Sequence, residues 1–226
     1  MKKNVAIIGS SGAIGNSVCR ILLNEYPIKT LYKFSRKIED EDTDKIKNIF
    51  IDIEDENSIK ESLKYLPKDI KFDLVFVATG ILHDENKIFP EKGIKDINYE
   101  KFQKVLLINT IGPALIGKYF IPFLRRDMKS VFAFLSARVG SISDNKLGGW
   151  YSYRASKAAL NQIIKNFSIE IKRTNASAIF VGLQPGTVKS FLSKPFEKNI
   201  GKDKIFSPDF SAKKLLKLID SLDPKD

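Results

Sequence analysis

A tyrosine and a lysine with the spacing of an acid–base pair occur in "WYSYRASK", residues 150–157. Tyr153 and Lys157 are four residues apart, so on a helix their side chains project from one face about a turn apart. A lysine ammonium stabilises a nearby phenolate and lowers the tyrosine pKa from its usual value of about 10 toward neutral pH. Tyr151 precedes Lys157 by six residues, roughly 240° around the helix. The spacing therefore favours Tyr153 as the acid.

The pair is weak evidence when taken alone. With 31 lysines and seven tyrosines in 226 residues, about one Tyr-x-x-x-Lys match is expected by chance. The alternative interpretation is the ordinary start of an amphipathic helix. The elements that would position the pair must decide between the two.

Three glycines follow an apolar run near the N-terminus, in "IIGSSGAIG" at residues 7–15. Gly9, Gly12 and Gly15 stand where a strand joins a helix, a place where a tight turn brings the backbone close to a pyrophosphate and the helix N–H groups bind it. The spacing G-x-x-G-x-x-G differs from the dinucleotide fingerprint, and a tight turn without a ligand is the alternative. Its position after the first strand favours a nucleotide site.

The second predicted strand ends in "YKFSRK", residues 32–37. An acid at this place would bind a free ribose 2′-hydroxyl, whereas a cation accommodates a 2′-phosphate. Here Ser35 stands in place of the acid, and Arg36 and Lys37 follow it. An arginine can bind a phosphate through two parallel hydrogen bonds, so the sequence predicts NADP(H) in preference to NAD(H). A solvated basic loop is the alternative.

Apolar strands alternate with amphipathic helices along the whole chain, which predicts a parallel sheet covered on both faces. The natural arrangement is one α/β domain over residues 1–226, a Rossmann-like doubly wound sheet of six strands in the order 3-2-1-4-5-6. The predicted strands are 4–9, 30–35, 48–53, 72–80, 130–136 and 177–183. The predicted helices are 13–26, 56–66, 99–126 with an interruption at Gly112-Pro113, 152–173 and 211–222.

Composition narrows the possible classes of protein. The hydrophobic fraction of 43% is enough for a substantial core, and Cys19 is the only cysteine, which excludes an intrachain disulfide and a cysteine-based zinc site. We find neither a secretory signal nor an apolar stretch approaching the ~20 residues of a membrane span, so the expected compartment is the cytoplasm. The net charge of +11 comes from dispersed lysines, which argues against nucleic-acid binding.

Together these features resemble the short-chain dehydrogenase/reductase family over nearly the whole chain. The segments 80–92, 135–161 and 185–196 are similar to its C-factor (C-signal) and sniffer-type carbonyl reductase branch. The catalytic set of the family is matched by Asn109, Ser136, Tyr153 and Lys157. The residue patterns and the resemblance give these expected cofactor contacts: Gly9, Ser11, Gly12, Ile14, Gly15, Ser35, Arg36, Asp52, Ile53, Ala78, Thr79, Gly80, Tyr153, Lys157, Pro185, Gly186, Val188 and Ser190.

The resemblance implies an NADP(H)-dependent oxidoreductase that reduces a carbonyl compound or oxidises an alcohol. Tyr153 would be the acid, Ser136 would donate a hydrogen bond to the substrate oxygen, and Lys157 would also bind the nicotinamide ribose. Asn109 would hold a water that relays protons to Lys157. The alternative is a C-factor-like signalling or regulatory protein that binds a dinucleotide with little turnover, because a fold does not determine function.

Several features depart from the family pattern. Ala13 occupies the place of its middle glycine, and the residues 77–79 replace an Asn-Asn-Ala segment. Ser136 and Tyr153 are 17 residues apart rather than the commoner 13, which predicts a loop at the mouth of the site. The usual seventh strand is missing, which favours a homodimer through the helices at 99–126 and 152–173, or a monomer, over a tetramer.

The expected substrate is a small or medium-sized carbonyl compound, since the predicted specificity loop 189–206 is short and of mixed polarity. Trp150, Phe191 and Phe196 are candidates to line an apolar substrate pocket, or they pack loops. His83, the only histidine, is interpreted as a loop residue, and no metal site is expected.

Overall fold

The computed structural model describes residues 1–38, 41–84, 88–199, 201 and 204–225. Parts of the segment 80–92 and of the predicted specificity loop 189–206 lie outside the described residues.

Six parallel strands form the main sheet, in the predicted order β3-β2-β1-β4-β5-β6. They consist of continuous apolar runs such as "LVFV" in the fourth strand, all of it buried, because helices cover both faces. All the carboxyl ends lie at one edge of the sheet, and the strand order reverses between β1 and β4, which is where ligands bind in open α/β sheets. The strands are Lys3–Ile8 (β1), Ile28–Ser35 (β2), Ile46–Phe50 (β3), Leu74–Val77 (β4), Ser130–Leu135 (β5) and Ala178–Leu183 (β6).

Helices cover the two faces of the sheet. The helices are Ala13–Glu25 (α1), Glu56–Ser62 (α2), Tyr99–Leu106 (α3), Gly112–Phe120 (α4), Tyr151–Ile171 (α5) and Pro208–Ser221 (α6). On one face α1 and α6 pack together and bury Val18 and Leu215 against the sheet. On the other face α2, α4 and α5 bury Ile59, Ile116 and Leu160. The apolar stripes predicted from helical spacing are the surfaces that form these two cores.

The predicted interruption at Gly112-Pro113 is wrong. The chain stays helical from Tyr99 to Phe123, with a π-helical segment, Leu107–Ile111, between α3 and α4. Proline lacks an N–H donor and crowds the carbonyl four residues earlier, and a widened turn before Pro113 relieves both constraints. Asn109 lies inside this segment.

The same helix corrects the expectation about apolar length. By length and composition Tyr99–Phe123 could cross a membrane, although the sequence predicted no such stretch. In the structure Ile116 and Phe120 are fully buried in the core under α2 and the sheet, as expected of a core helix. The predicted dimer contact through this helix and α5 stays a prediction.

Two short elements after β6 were not predicted. Thr187–Val188 (β7) and Ile205–Phe206 (β8) form a two-stranded parallel sheet, which is too short for sequence periodicity to reveal. The last helix, α6, begins at Pro208 rather than at 211, because the Ser207 side chain accepts a hydrogen bond from the Phe210 N–H at 3.1 Å and caps it.

Candidate active site

The glycine turn between β1 and α1 is shaped for a close approach of the backbone. Gly9 has φ +85°, a left-handed conformation that glycine adopts without strain. A Cβ atom on Gly15 would lie 2.2 Å from the Gly9 carbonyl oxygen, so a side chain there would push the turn apart. Gly12 precedes the first residue of α1 and offers no side-chain cap, so the first N–H groups of the helix remain available to a ligand.

A cleft of about 580 Å³ opens beside this turn, at the carboxyl ends of the strands. It gathers residues from the glycine turn, the end of β4, the end of β5, the start of α5 and the segment after β6. The predicted site residues that line it are Gly12, Ile14, Ala78, Thr79, Gly80, Ser136, Tyr153, Lys157, Pro185, Gly186, Val188 and Ser190. Ala13 lines it as well, so the departure from the family's glycine falls within the site.

Tyr153 and Lys157 both project into the cleft from α5, as their spacing predicted. Lys157 Nζ lies 5.9 Å from the centroid of the Tyr153 ring and donates a hydrogen bond to the Leu135 carbonyl at 2.9 Å. Tyr151 is not among the cleft residues. Tyr153 therefore lies in the cleft and Tyr151 does not, and the assignment of Tyr153 as the acid stays a prediction.

The expected pKa of the tyrosine is wrong for the protein alone. Burial raises the pKa of Tyr153 to about 12, and burial lowers the pKa of Lys157 to about 8. Both shifts have the same cause, because an apolar surrounding disfavours the charged form of either group. Sequence spacing shows that the two groups are neighbours, but it does not show how deeply they are buried.

Ser136 follows β5 and has a partner that the sequence analysis missed. Its hydroxyl donates a hydrogen bond of 2.6 Å to Oδ1 of Asn161, which lies four residues after Lys157 on α5. Asn161 also comes close to the backbone of Gly140 and Gly182, where a Cβ atom would lie 3.0 and 3.4 Å from its amide. The four-residue spacing of Lys157 and Asn161 was the sequence signal that could have identified Asn161 as a third residue on the helix face of Tyr153 and Lys157.

Asn109 is fully buried and anchors the loop after β4. Its Oδ1 accepts from the Ile81 N–H at 2.8 Å, and its Nδ2 donates to the Ile81 carbonyl at 2.8 Å and to the Ser156 hydroxyl at 3.1 Å. A Cβ atom on Gly80 would lie 3.4 Å from Asn109 Oδ1 and 3.5 Å from Lys157 Nζ. The side chain thus holds the cleft floor beside Lys157, and its predicted part in a proton relay stays a prediction.

A small polar recess of about 70 Å³ lies at the end of β2, where the sequence predicted a phosphate cation. Ser11, Ser35, Lys33 and Lys37 are among its lining residues. Ser35 orders the turn, since its hydroxyl donates to the Lys37 carbonyl and accepts from the Lys37 N–H. Arg36 instead faces Glu54, 3.4 Å from its Oε1, and does not line the recess. The structure therefore presents lysines where the sequence favoured the arginine.

Asp52 and Ile53, which follow β3, make their contacts within the protein. Asp52 Oδ1 accepts a hydrogen bond from the Glu54 N–H at 3.0 Å, and the Ser58 hydroxyl accepts one from the Asp52 N–H at 2.8 Å. Ile53 is buried against Gly112. Neither residue lines the cleft or the recess as the described chain forms them. Their expected cofactor contacts stay predictions.

One buried polar atom on the cleft wall fits a dinucleotide. The Thr79 hydroxyl has no hydrogen-bond partner within the described part of the chain, although buried hydroxyls are normally paired. Thr79 lies against the glycine turn, where its Cγ2 is 3.0 Å from the place of a Cβ atom on Gly9. An open cradle of glycines, free helix N–H groups and an unpaired hydroxyl are the donor set that a pyrophosphate with its riboses requires.

The short chain dehydrogenase family model matches residues 3–201, which include all of these features. The chain belongs to the short-chain dehydrogenase family. It is 30% identical over 176 residues to the 1-hydroxy-2-glutathionyl-2-methyl-3-butene dehydrogenase of Rhodococcus sp. (strain AD45), covering 77% of this chain and 72% of that protein.

Two further relatives bear on the branch of the short-chain dehydrogenase family. The chain is 29% identical over 130 residues to the C-signal protein of Myxococcus xanthus, covering 58% of this chain and 73% of that protein. The solved structure of the carbonyl reductase Sniffer of D. melanogaster superposes with a TM-score of 0.83 at 22% identity, covering 100% of this chain and 94% of that one. The family resemblance is confirmed, and a C-signal protein is among the relatives that the chain matches.

Proposed function

We propose that this short-chain dehydrogenase is an NADP(H)-dependent carbonyl reductase, or an alcohol dehydrogenase in the reverse direction, acting on a small molecule. The observation that carries the proposal is the convergence of Tyr153, Lys157 and Ser136 on one cleft beside the glycine turn. An acid, a cation and a hydroxyl aimed at one volume can protonate a carbonyl oxygen and stabilise its developing charge. The unpaired Thr79 hydroxyl on the same wall supports a dinucleotide ligand.

Different residues of the cleft would bind different parts of the dinucleotide. Gly12 and the first N–H groups of α1 would hold the pyrophosphate, and the Thr79 hydroxyl would gain the partner it lacks. Lys157 would hold the nicotinamide ribose through its ammonium, which already lies beside Gly80. The recess at the end of β2 would take the 2′-phosphate. Pro185 and Gly186 would contact the nicotinamide from the other side of the cleft.

The nicotinamide, when bound, supplies the hydride that is added to the carbonyl carbon. Tyr153 would deliver the proton to the oxygen, and the Lys157 ammonium near its ring would stabilise the phenolate that remains. The Ser136 hydroxyl has a single hydrogen, which it donates to Asn161 Oδ1 in this structure. A half-turn of the Asn161 amide would present Nδ2 to Ser136 and leave that hydrogen for the substrate oxygen.

The reaction class is tested by following NADPH absorbance while aldehydes and ketones are added to the purified protein. We expect NADPH to be oxidised in a one-to-one ratio with the alcohol formed, at a rate proportional to protein concentration. Heat-denatured protein is the control for slow chemical oxidation. If no aldehyde or ketone drives NADPH consumption, the reductase assignment fails.

The lysine-lined recess predicts which residues select the cofactor. Replacing Lys37 with Ala should weaken NADPH binding about tenfold and leave NADH binding unchanged, because a charged hydrogen bond to the 2′-phosphate is lost. Lys29→Ala, at the far end of β2, removes the same charge and is the matched control. Fluorescence titrations of both variants with both cofactors provide the measurement.

Arg36→Ala separates the two hypotheses about that phosphate. Arg36 pairs with Glu54 and does not line the recess, so its removal should change NADPH affinity less than Lys37→Ala does. A larger loss in Arg36→Ala would show that the arginine turns from Glu54 to hold the phosphate, as the sequence predicted. Equal affinity of the wild-type protein for NADH and NADPH would contradict the NADP(H) preference altogether.

A second candidate function is a signalling or regulatory role that uses the dinucleotide site with little turnover. The similarity to the C-signal protein of Myxococcus xanthus favours it. The two candidates differ in one observable, which is carbonyl-dependent NADPH oxidation that requires Tyr153. Tight NADPH binding without such oxidation would favour the signalling role.

A further inference from the structure

Trp150 has the only left-handed backbone among the described residues other than glycine. Its φ and ψ of 52° and 42° cap the N-terminus of α5, three residues before Tyr153. A bulky residue is strained in this region, and strain of this kind persists where the surrounding structure imposes it, often at functional sites. Gly148 and Gly149 precede it with φ of +66° and +64°, so the chain approaches the helix through three left-handed residues.

Glu91 imposes this conformation from a loop far away in sequence. It is 5% exposed, and its carboxylate accepts a hydrogen bond from the Ser152 N–H at 3.2 Å, in the first turn of α5. Its backbone carbonyl accepts from the Trp150 N–H at 2.6 Å. A Cβ atom on Gly149 would lie 3.2 Å from the same carbonyl oxygen. Glu91 therefore supplies the helix cap that Trp150 cannot provide with its own side chain.

The left-handed turn before α5 determines where the Trp150 indole lies. Trp150 lines the cleft, with its ring centroid 6.1 Å from that of Tyr153 and 5.2 Å from that of Phe196. The aromatic surface continues through His83, whose ring lies 6.0 Å from Phe196 and 4.8 Å from Phe191. His83 Nε2 also bonds the Phe191 carbonyl at 2.8 Å, which joins the loop after β4 to the segment after β7.

We infer that Trp150 is a specificity-determining residue, held by Glu91 as a positioning residue, and that the substrate is a flat, apolar aryl aldehyde or ketone. This inference rests on the proposed reductase function. The rings of Trp150, Phe191, Phe196 and His83 form a wall that reaches the Tyr153 ring through Trp150. Such a wall favours an aryl group over an alkyl chain through offset and edge-to-face contacts. The strained backbone is retained because it brings the indole to that wall.

Acetophenone and 2-octanone test the inference, because they are ketones of equal carbon number that differ in an aryl against an alkyl group. We expect kcat/KM with NADPH to favour acetophenone at least about tenfold in the wild-type protein. Trp150→Phe should keep most of this preference, and Trp150→Gly should bring the ratio close to one. Glycine suits the left-handed backbone, so the Trp150→Gly protein should fold, which its urea unfolding midpoint would check.

The positioning role of Glu91 is tested by the same ratio of kcat/KM for acetophenone to kcat/KM for 2-octanone. Glu91→Ala should lower the acetophenone preference through KM for the aryl ketone, with little change in KM for 2-octanone. Glu91→Gln keeps an oxygen acceptor for the Ser152 N–H and should restore the preference. A purely structural role would lower kcat/KM for both ketones equally, and that outcome would overturn the part assigned to Glu91.

A ratio near one in the wild-type protein, or an unchanged ratio in Trp150→Gly, would overturn the inference. If neither ketone is reduced, binding decides the inference separately, and the proposed function fails only if no other aldehyde or ketone is reduced either. Trp150 is the only tryptophan, so a ¹⁵N spectrum contains one indole N–H signal, which reports on this wall. Saturable shifts with tighter binding of acetophenone than of 2-octanone would support the aryl site; equal affinities, or no shifts, would overturn it.

Discussion

Replacing Tyr153 with Phe should lower kcat for carbonyl reduction at least about a thousandfold, while the affinity for NADPH stays within about twofold. The change removes one oxygen atom and leaves the ring, so the packing against Trp150 is preserved. What is lost is the proton donor at the carbonyl oxygen. We would measure steady-state reduction and, separately, NADPH binding by fluorescence.

Tyr151→Phe is the matched control for this prediction. It makes the same chemical change two residues away on α5, at a side chain outside the cleft. We expect the Tyr151→Phe protein to keep kcat within about twofold of wild type. Full activity in Tyr153→Phe, or an equal loss in both variants, would contradict the assignment of Tyr153 as the acid.

Replacing Lys157 with Met should abolish reduction and also make the protein more stable at neutral pH, by roughly 2 kcal/mol. Lys157 is 3% exposed, and burial lowers its pKa from 10.5 to about 8, which corresponds to about 3 kcal/mol of destabilisation when the group is charged. Loss of the hydrogen bond to the Leu135 carbonyl offsets about 1 kcal/mol of that gain. Methionine fills the same space with an apolar chain.

The pH dependence of this gain has a definite sign. Between pH 8 and 10.5 the folded protein has released the Lys157 proton and the unfolded chain still binds it, so wild-type stability rises with pH in this window. Lys157→Met lacks that rise, so its advantage is largest below pH 8 and disappears toward 10.5. The raised pKa of Tyr153 lowers stability between pH 10 and about 12 in both proteins, so its contribution cancels in the difference.

Urea unfolding of both proteins at pH 7, 8, 9 and 10 provides the measurement. Substituting Lys165, on the same helix but outside the cleft, with Met is the control for a general effect of removing a lysine. We expect Lys165→Met to change the free energy of unfolding by less than about 0.5 kcal/mol at every pH. A Lys157→Met protein that is less stable than wild type at pH 7 would show that the buried ammonium stabilises the fold.

Much of the fold follows from local patterns. The apolar run of β4 has no polar face, which only a sheet covered on both sides can accommodate, and the observed strand order agrees with that interpretation. The helical break expected at Gly112-Pro113 was wrong, because propensity treats proline as a terminator and does not include a π-helical turn that absorbs it.

In the candidate site, too, some features could be predicted from the local sequence and others could not. The four-residue spacing of Tyr153 and Lys157 is a property of helix geometry, so it could be interpreted without a structure. The contact of Ser136 with Asn161 and the cap that Glu91 provides to α5 join segments 25 and 61 residues apart. No local pattern encodes such contacts, since they depend on how separate elements pack.

By itself the sequence determined the covered parallel sheet, the glycine turn at the end of β1 and the position of Tyr153, rather than Tyr151, on the helix face of Lys157, because each depends on periodicity or on backbone sterics within a few residues. Only the tertiary structure decided that burial raises the pKa of Tyr153 and lowers that of Lys157, and that lysines rather than Arg36 line the recess. Burial and the direction of a long side chain arise from contacts between distant segments, and this is why they emerge only when the chain is folded.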